Sequence, residues 1–133
     1  MVALELQTGA TVWEKDLSSF SGIAVGKGTV VVADANGTVW GLKRTLGETL
    51  WEQKALKGRL LSQPAIFKEY VFVGDDDGYL HILRQSDGAL VGRLQVDSKG
   101  IETAPVVKEE MLYVLGRSGK VAAYDLSTAK MDH

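Results

Sequence analysis

The feature that most restricts this chain is a repeat of 41 residues. Gly37 closes the turn ADANG, Gly78 closes GDDDG and Gly119 closes LGRSG, at equal intervals of 41, and Pro64 in SQPAI and Pro105 in TAPVV share that spacing. Ten residues after each glycine stands a second turn residue: Gly47, Gly88 and, degenerately, Ala129, with Gly9 as the counterpart in the opening stretch. Trp13 therefore aligns with Trp51. The interval from Gly9 to Gly47 is 38, so one loop lacks three residues. A period of about 40 residues holding several short strands is the signature of propeller blades.

Each unit reads as four strands. In the best-preserved one, PAIF (64–67) and YVFVG (70–74) are followed by the turn DDDG, then YLHILR (79–84), the turn SDG and ALVGRLQV (89–96). These runs are rich in β-branched and aromatic residues and are punctuated by Gly, Asp and Asn. No stretch keeps a helical period. The third strand is apolar on both parities, as in Val39 with Trp40, Leu80 with Ile82 and Leu83, and Val121 with Tyr124. A sheet covered on both faces by neighbouring sheets requires this.

The predicted fold is all-β: four-stranded antiparallel propeller blades, of which this chain holds a part. ALEL is the third strand of a blade and ATVWEKDL its outer fourth strand, so residues 1–17 form a half blade. Residues 18–58 and 59–99 are complete blades, and 100–133 an incomplete last one that ends soon after KVAAYDL (120–126). Propellers close with about 4–8 blades, so the chain reads as a piece of a larger ring with further blades upstream. Trp13 and Trp51 begin outer strands. An indole there spans the ~10 Å between stacked sheets, so both are expected to be structural and buried between blades. Gly37, Gly78 and Gly119 are structural turn residues. Asn36, Asp77 and Ser118 precede them, where Asn-Gly and Asp-Gly supply the positive φ angles of a tight hairpin.

Composition removes several function classes. The net charge is −2 with Lys and Arg scattered, which leaves no electrostatic footprint for nucleic acid or an anionic membrane. With no cysteine there is no disulfide framework, thiolate metal site or cysteine nucleophile. No apolar run approaches the ~18 residues of a membrane span, and residues 1–8 lack the basic and apolar regions of a signal peptide.

The motif A-L-x-L-x-T-G-x-x-x-W, recurring with G-x-L/V-x-A-L, resembles the repeat of the pyrroloquinoline-quinone-type propellers. Within them, the ordered run KGRLLSQPAI, VFVGDDDGYLHIL, VDSKGIETAPVV and SGKVAAYDL resembles the C-terminal blades of the BamB family, lipoprotein propellers of the outer-membrane β-barrel assembly machinery. The resemblance covers essentially the whole chain. It implies an eight-bladed, non-enzymatic periplasmic scaffold, held at the outer membrane by an N-terminal lipidated cysteine that this chain lacks. The implied partners are the periplasmic domains of the barrel protein BamA and nascent outer-membrane proteins. The family's contact positions align upstream of residue 1, so none is carried over.

Other constellations favour structure over chemistry. Asp75-Asp76-Asp77-Gly78 has a faint likeness to a calcium loop, but that pattern needs D-x-D-x-D-G and a later Glu, and Arg84 stands six past Gly78. The same turn reads DANG and GRSG in the other repeats, so turn chemistry is favoured over a metal. His81 aligns with Trp40 and Ala122 and is expected to be a packed or rim histidine. Ser18, Ser19 and Ser21 form no G-x-S-x-G elbow, and no glycine-rich loop leads into a helix. No catalytic, cofactor or metal residue is assigned.

The loops 55–63 and 96–104 join an outer strand to the next inner strand on one propeller face. Arg59, Leu60 and Leu61 in the first, and Lys99, Ile101 and Glu102 in the second, either form a partner surface or tuck under the sheet edge. A protein-binding scaffold is preferred to a fragment of a quinone-dependent dehydrogenase, which shares the blade repeat. The dehydrogenase needs a bound metal, a catalytic carboxylate and, often, a vicinal cysteine pair. An unrelated propeller interaction domain is the third reading. Unpaired strands at 2–6 and 120–126 would also template self-association.

Overall fold

The computed structural model describes residues 2–4, 11–14, 20–101 and 103–127, and of the first three stretches' side chains only those from Gly22 onward. The sheets are antiparallel meanders. Strands β1 (Val2–Leu4) and β2 (Thr11–Glu14) pair, with Ala3 opposite Trp13. Strands β3 (Phe20–Val25), β4 (Thr29–Asp34), β5 (Val39–Lys43) and β6 (Thr49–Gln53) form a four-stranded sheet in chain order. Strands β7 (Ala65–Phe67), β8 (Tyr70–Gly74), β9 (Tyr79–Arg84) and β10 (Leu90–Gln95) form the next. Strands β11 (Val106–Lys108), β12 (Met111–Leu115) and β13 (Val121–Asp125) form the third. The described residues contain no helix. Between sheets, the first strands meet: β3 contacts β7, and β7 contacts β11. That is the arrangement of blades set around an axis.

Strand parity explains the core. Successive side chains on a strand point to opposite faces. On β4, Val31 and Ala33 face the second sheet, where Val71, Val73 and Leu83 meet them. Tyr70 and Phe72 point the other way and pack with Leu112 and Val114 of the third sheet. β8 is consequently buried along its whole length, as a strand covered on both faces must be. The third sheet differs. Leu112 and Val114 are buried, whereas Val106, Tyr113, Leu115 and Val121 are exposed, Val121 by 65%. Its second face is open apolar sheet.

Trp51 behaves as its position predicts. It is buried, with the indole lying where a Cβ on Gly41 or Gly88 would stand, and its Nε1 donates to the Gln85 carbonyl at 2.8 Å. One side chain thus ties the outer strand of the first four-stranded sheet to the β9–β10 turn of the second. The backbone of Trp13 sits in β2; its indole lies outside the described side chains.

The hairpin turns correct one expectation. Positive φ falls on Gly37 (91°), Gly78 (91°) and Gly119 (94°), and not on Asn36, Asp77 or Ser118. The loops have three residues rather than two. Asp34 N–H donates to the Thr38 carbonyl at 2.9 Å and Gly37 N–H to the Asp34 carbonyl at 3.2 Å, and the Asp75–Tyr79 turn repeats the pattern. Such loops join a type I turn to one left-handed residue, so only the glycine needs positive φ. Gly78 has a second constraint, because a Cβ there would strike the Asp97 backbone carbonyl.

Candidate functional site

The rim of the propeller is built by loops that clasp the turns of the next sheet. After β6 the chain crosses the β4–β5 turn, where Gly58 N–H donates to the Asn36 carbonyl at 2.8 Å. It then locks onto the β8–β9 turn. Arg59 Nη1 contacts Asp75 Oδ2 at 2.8 Å and Asp77 Oδ2 at 3.2 Å, and Leu60 N–H donates to Asp76 Oδ1 at 3.2 Å. Ser62 exchanges two bonds with Gly74: its N–H donates to the Gly74 carbonyl at 2.8 Å, and its Oγ accepts from Gly74 N–H at 2.9 Å. The result is a fixed backbone that presents Leu60 to solvent with 62% of its surface exposed.

The rim residues singled out by sequence separate accordingly. Leu61 and Ile101 enter the core as single-residue bridges, Leu61 beside Asp75 and Ile101 beside Gly116. Ile101 covers Gly74, which has no side chain to obstruct it. These two take the tucked arrangement. Leu60 stays out, Arg59 is half-buried in its ion pairs, and Glu102 lies outside the described residues.

Beneath the rim lies a buried polar cluster. Asp75 is fully buried. Its Oδ1 accepts from Asp77 N–H at 2.9 Å and Tyr79 N–H at 3.0 Å, while Oδ2 contacts Arg59 Nη1 at 2.8 Å and His81 Nε2 at 2.6 Å. Burial raises the carboxyl pKa, but the His81 bond and the two backbone donors outweigh it and hold Asp75 below the usual carboxylate value. Both oxygens are committed to protein donors, which opposes a calcium role for this turn. Among the described residues no group of three or more His, Asp or Glu is placed to hold a metal. Among the described residues no hydroxyl bonds to the remaining nitrogen of His81.

The cluster is a variation on the repeat, and sequence reasoning passed over it. In the first four-stranded sheet, Asp34 caps its own turn through Asn36 and Thr38 N–H, each at 2.9 Å, and accepts from Trp40 Nε1 at 3.0 Å. Asp34–Trp40 and Asp75–His81 are the same pair six residues apart. In the third sheet both members have changed, to Gly116 and Ala122. There, Asp97 reaches in from the loop after β10: its Oδ2 occupies the space where a Cβ on Gly116 would lie, and it accepts from Ser118 N–H at 3.0 Å. The signal was legible in the alignment that placed His81 opposite Trp40, had Asp34 and Asp75 been read with them.

Packed four-stranded meanders with first strands adjacent, outer-strand tryptophan and repeat-bound aspartates define a segment of a β-propeller with quinoprotein-type repeats. A protein-family model described as "Outer membrane protein assembly factor BamB" matches residues 1–66 and 36–133. Relatives of that name include those of Pseudomonas aeruginosa, 43% identical over 93% of this chain and 33% of the relative, and Shewanella oneidensis, 38% identical over 95% and 32%. The crystal structure of BamB from Moraxella catarrhalis superposes with a TM-score of 0.78 at 31% identity, over 97% of this chain and 41% of that one. The chain belongs to the BamB family. It spans about a third of the length of these curated relatives. The quinohemoprotein alcohol dehydrogenase of Comamonas testosteroni shares the fold, with a TM-score of 0.74 at 18% identity over 97% of this chain and 31% of that one.

Proposed function

We propose that this chain is a segment of a non-enzymatic propeller scaffold that binds other proteins during assembly of outer-membrane β-barrel proteins, on the periplasmic side of the outer membrane. The observation that carries the reading is the family match, whose two segments together run through every blade of the chain. The rim supports it, because Leu60 is an exposed apolar side chain on a backbone already fixed by ion pairs and hydrogen bonds. Little ordering entropy remains to be lost there on binding. The proposed partners are the periplasmic domains of BamA and nascent barrel proteins, and the whole protein is held at the membrane by a lipid anchor. The four blade divisions at 1–17, 18–58, 59–99 and 100–133 follow the repeat. The open face of Val106, Tyr113, Leu115 and Val121 receives a further blade of the whole protein; left alone, the segment self-associates through it.

The test is to place Leu60→Arg in the whole protein and measure co-purifying BamA and the outer-membrane level of barrel proteins. Both should fall while the protein stays folded. Barrel levels that stay normal when the whole protein is removed would overturn the assembly role. The dehydrogenase reading has the fold likeness in its favour. Calorimetric titration with pyrroloquinoline quinone and with calcium separates the two readings, since a dissociation constant below about micromolar, roughly −8 kcal/mol, would favour the enzyme.

A further inference from the structure

Above His81 the two four-stranded sheets leave a crevice of about 420 Å³, lined by Ala55, Leu56, Arg59, His81, Leu90 and Arg93. We infer that this crevice binds a carboxylate of a polypeptide, with the apolar part of the same segment against Leu56 and Leu90. The inference stands on the crevice alone and does not depend on the assembly role.

Three features converge on that ligand. First, the Arg93 guanidinium lies over the Tyr79 ring, 4.6 Å from its centroid, and no carboxylate of the described residues pairs with it. Stacking fixes the plane of the group and leaves its N–H edge for an acceptor. Second, Arg59 meets Asp75 and Asp77 through Nη1 alone, so its Nε and Nη2 donors remain open. Third, Leu56 and Leu90 line the same crevice and give it an apolar wall beside the two guanidinium groups. Of the two arginines that line the crevice, Arg59 is paired with Asp75 and Asp77, whereas Arg93 makes no ion pair among the described residues. A planar carboxylate matches a guanidinium fork with two parallel bonds, and the apolar walls suit a chain rather than a free ion.

The test is NMR titration of the 15N-labelled chain with the amide of N-acetyl-Leu-Glu-Leu, observing Arg93 Nε–Hε and the His81 ring. Both should shift, with a dissociation constant in the millimolar range. Replacing Glu by Gln in the peptide, or Arg93→Gln in the protein, should weaken binding about tenfold. Arg93→Lys, which keeps charge without the fork, should fall between. The free acid of N-acetyl-Leu-Leu tests whether a chain terminus serves as well as a side chain. Equal binding of the Glu and Gln peptides, binding unaffected by Arg93→Gln, or shifts confined to other residues would overturn the inference.

Discussion

Replacing Trp51 by Ala measures how much of the inter-blade contact rests on one side chain. A buried Trp removes about 150–250 Å² from water, and at ~25 cal/mol per Å² this is about 5 kcal/mol of transfer free energy. The surroundings cannot collapse readily. Gly41 and Gly88, which lie against the indole, have no side chains to move into the space. The Gln85 carbonyl also loses its donor, at a cost of about 1 kcal/mol or more. Relief through backbone adjustment and the retained Cβ reduce the sum, so Trp51→Ala should destabilise by about 4 kcal/mol, inside the ~3–5 kcal/mol range for such truncations. Trp51→Phe keeps most of the ring and forfeits the N–H, and should cost about 1–2 kcal/mol. Urea unfolding followed by far-ultraviolet circular dichroism reads both. With a slope of about 1.5 kcal/mol per M, the Ala variant should unfold some 2–3 M earlier, with the slope unchanged. A midpoint shift below about 0.5 M would refute the reasoning, because it would mean that the two sheets hold together without the indole.

Gly78→Ala should destabilise far more than Gly119→Ala. Both require positive φ, but the new Cβ meets the Asp97 carbonyl at Gly78 and open space at Gly119, where only the left-handed strain of about 1–2 kcal/mol remains. Acid should weaken the fold in a predictable direction. The Asp75 and Asp97 carboxyls sit below their ordinary value of 3.8, so their stabilisation is complete above that value and is lost as pH falls through the depressed native ones. Urea midpoints should be flat from neutral pH to about 5 and decline below about 4. The decline should be shallower in Asp97→Asn, whose partner in the native state is chiefly Ser118. Gly116→Asp should fail to restore the turn of the other repeats, since its side chain would collide with that of Asp97; pairing it with Asp97→Ala should recover stability, as a double-mutant cycle would show.

Much of this was legible in the sequence because period-two strands and glycine turns are local. The strand 70–74 matches its reading to the residue, and the outer strand read as 89–96 is observed at Leu90–Gln95. Leu80, Ile82 and Leu83 were read as apolar on both parities and all three are buried, since a strand sandwiched between sheets has no polar parity to show. What the sequence left open depends on contacts distant along the chain. Nothing local distinguishes Leu60 from Leu61, yet one is exposed and the other buried, because Asp76 fixes Leu60 N–H and the bridge to Asp75 turns Leu61 inward. Arg93 gave no local signal either. Its setting is made by Tyr79 across the strand pair and by Leu56 from the neighbouring sheet.

The carboxylate that Asp97 lends to the third sheet also bears on how such repeats are inherited. Duplicated units begin as interchangeable copies, each carrying its own turn-capping acid, as Asp34 and Asp75 still do. In the third sheet Gly116 stands where that acid would, and the cap comes from the preceding unit, at a position whose equivalent one repeat earlier is Leu56. The two units can no longer be shuffled independently. A copy of residues 100–127 joined behind a unit ending like 18–58 would inherit a turn with Ser118 N–H unmet and a hole beside Gly116. Neighbouring repeats that have traded a residue in this way must be duplicated, lost or recombined together.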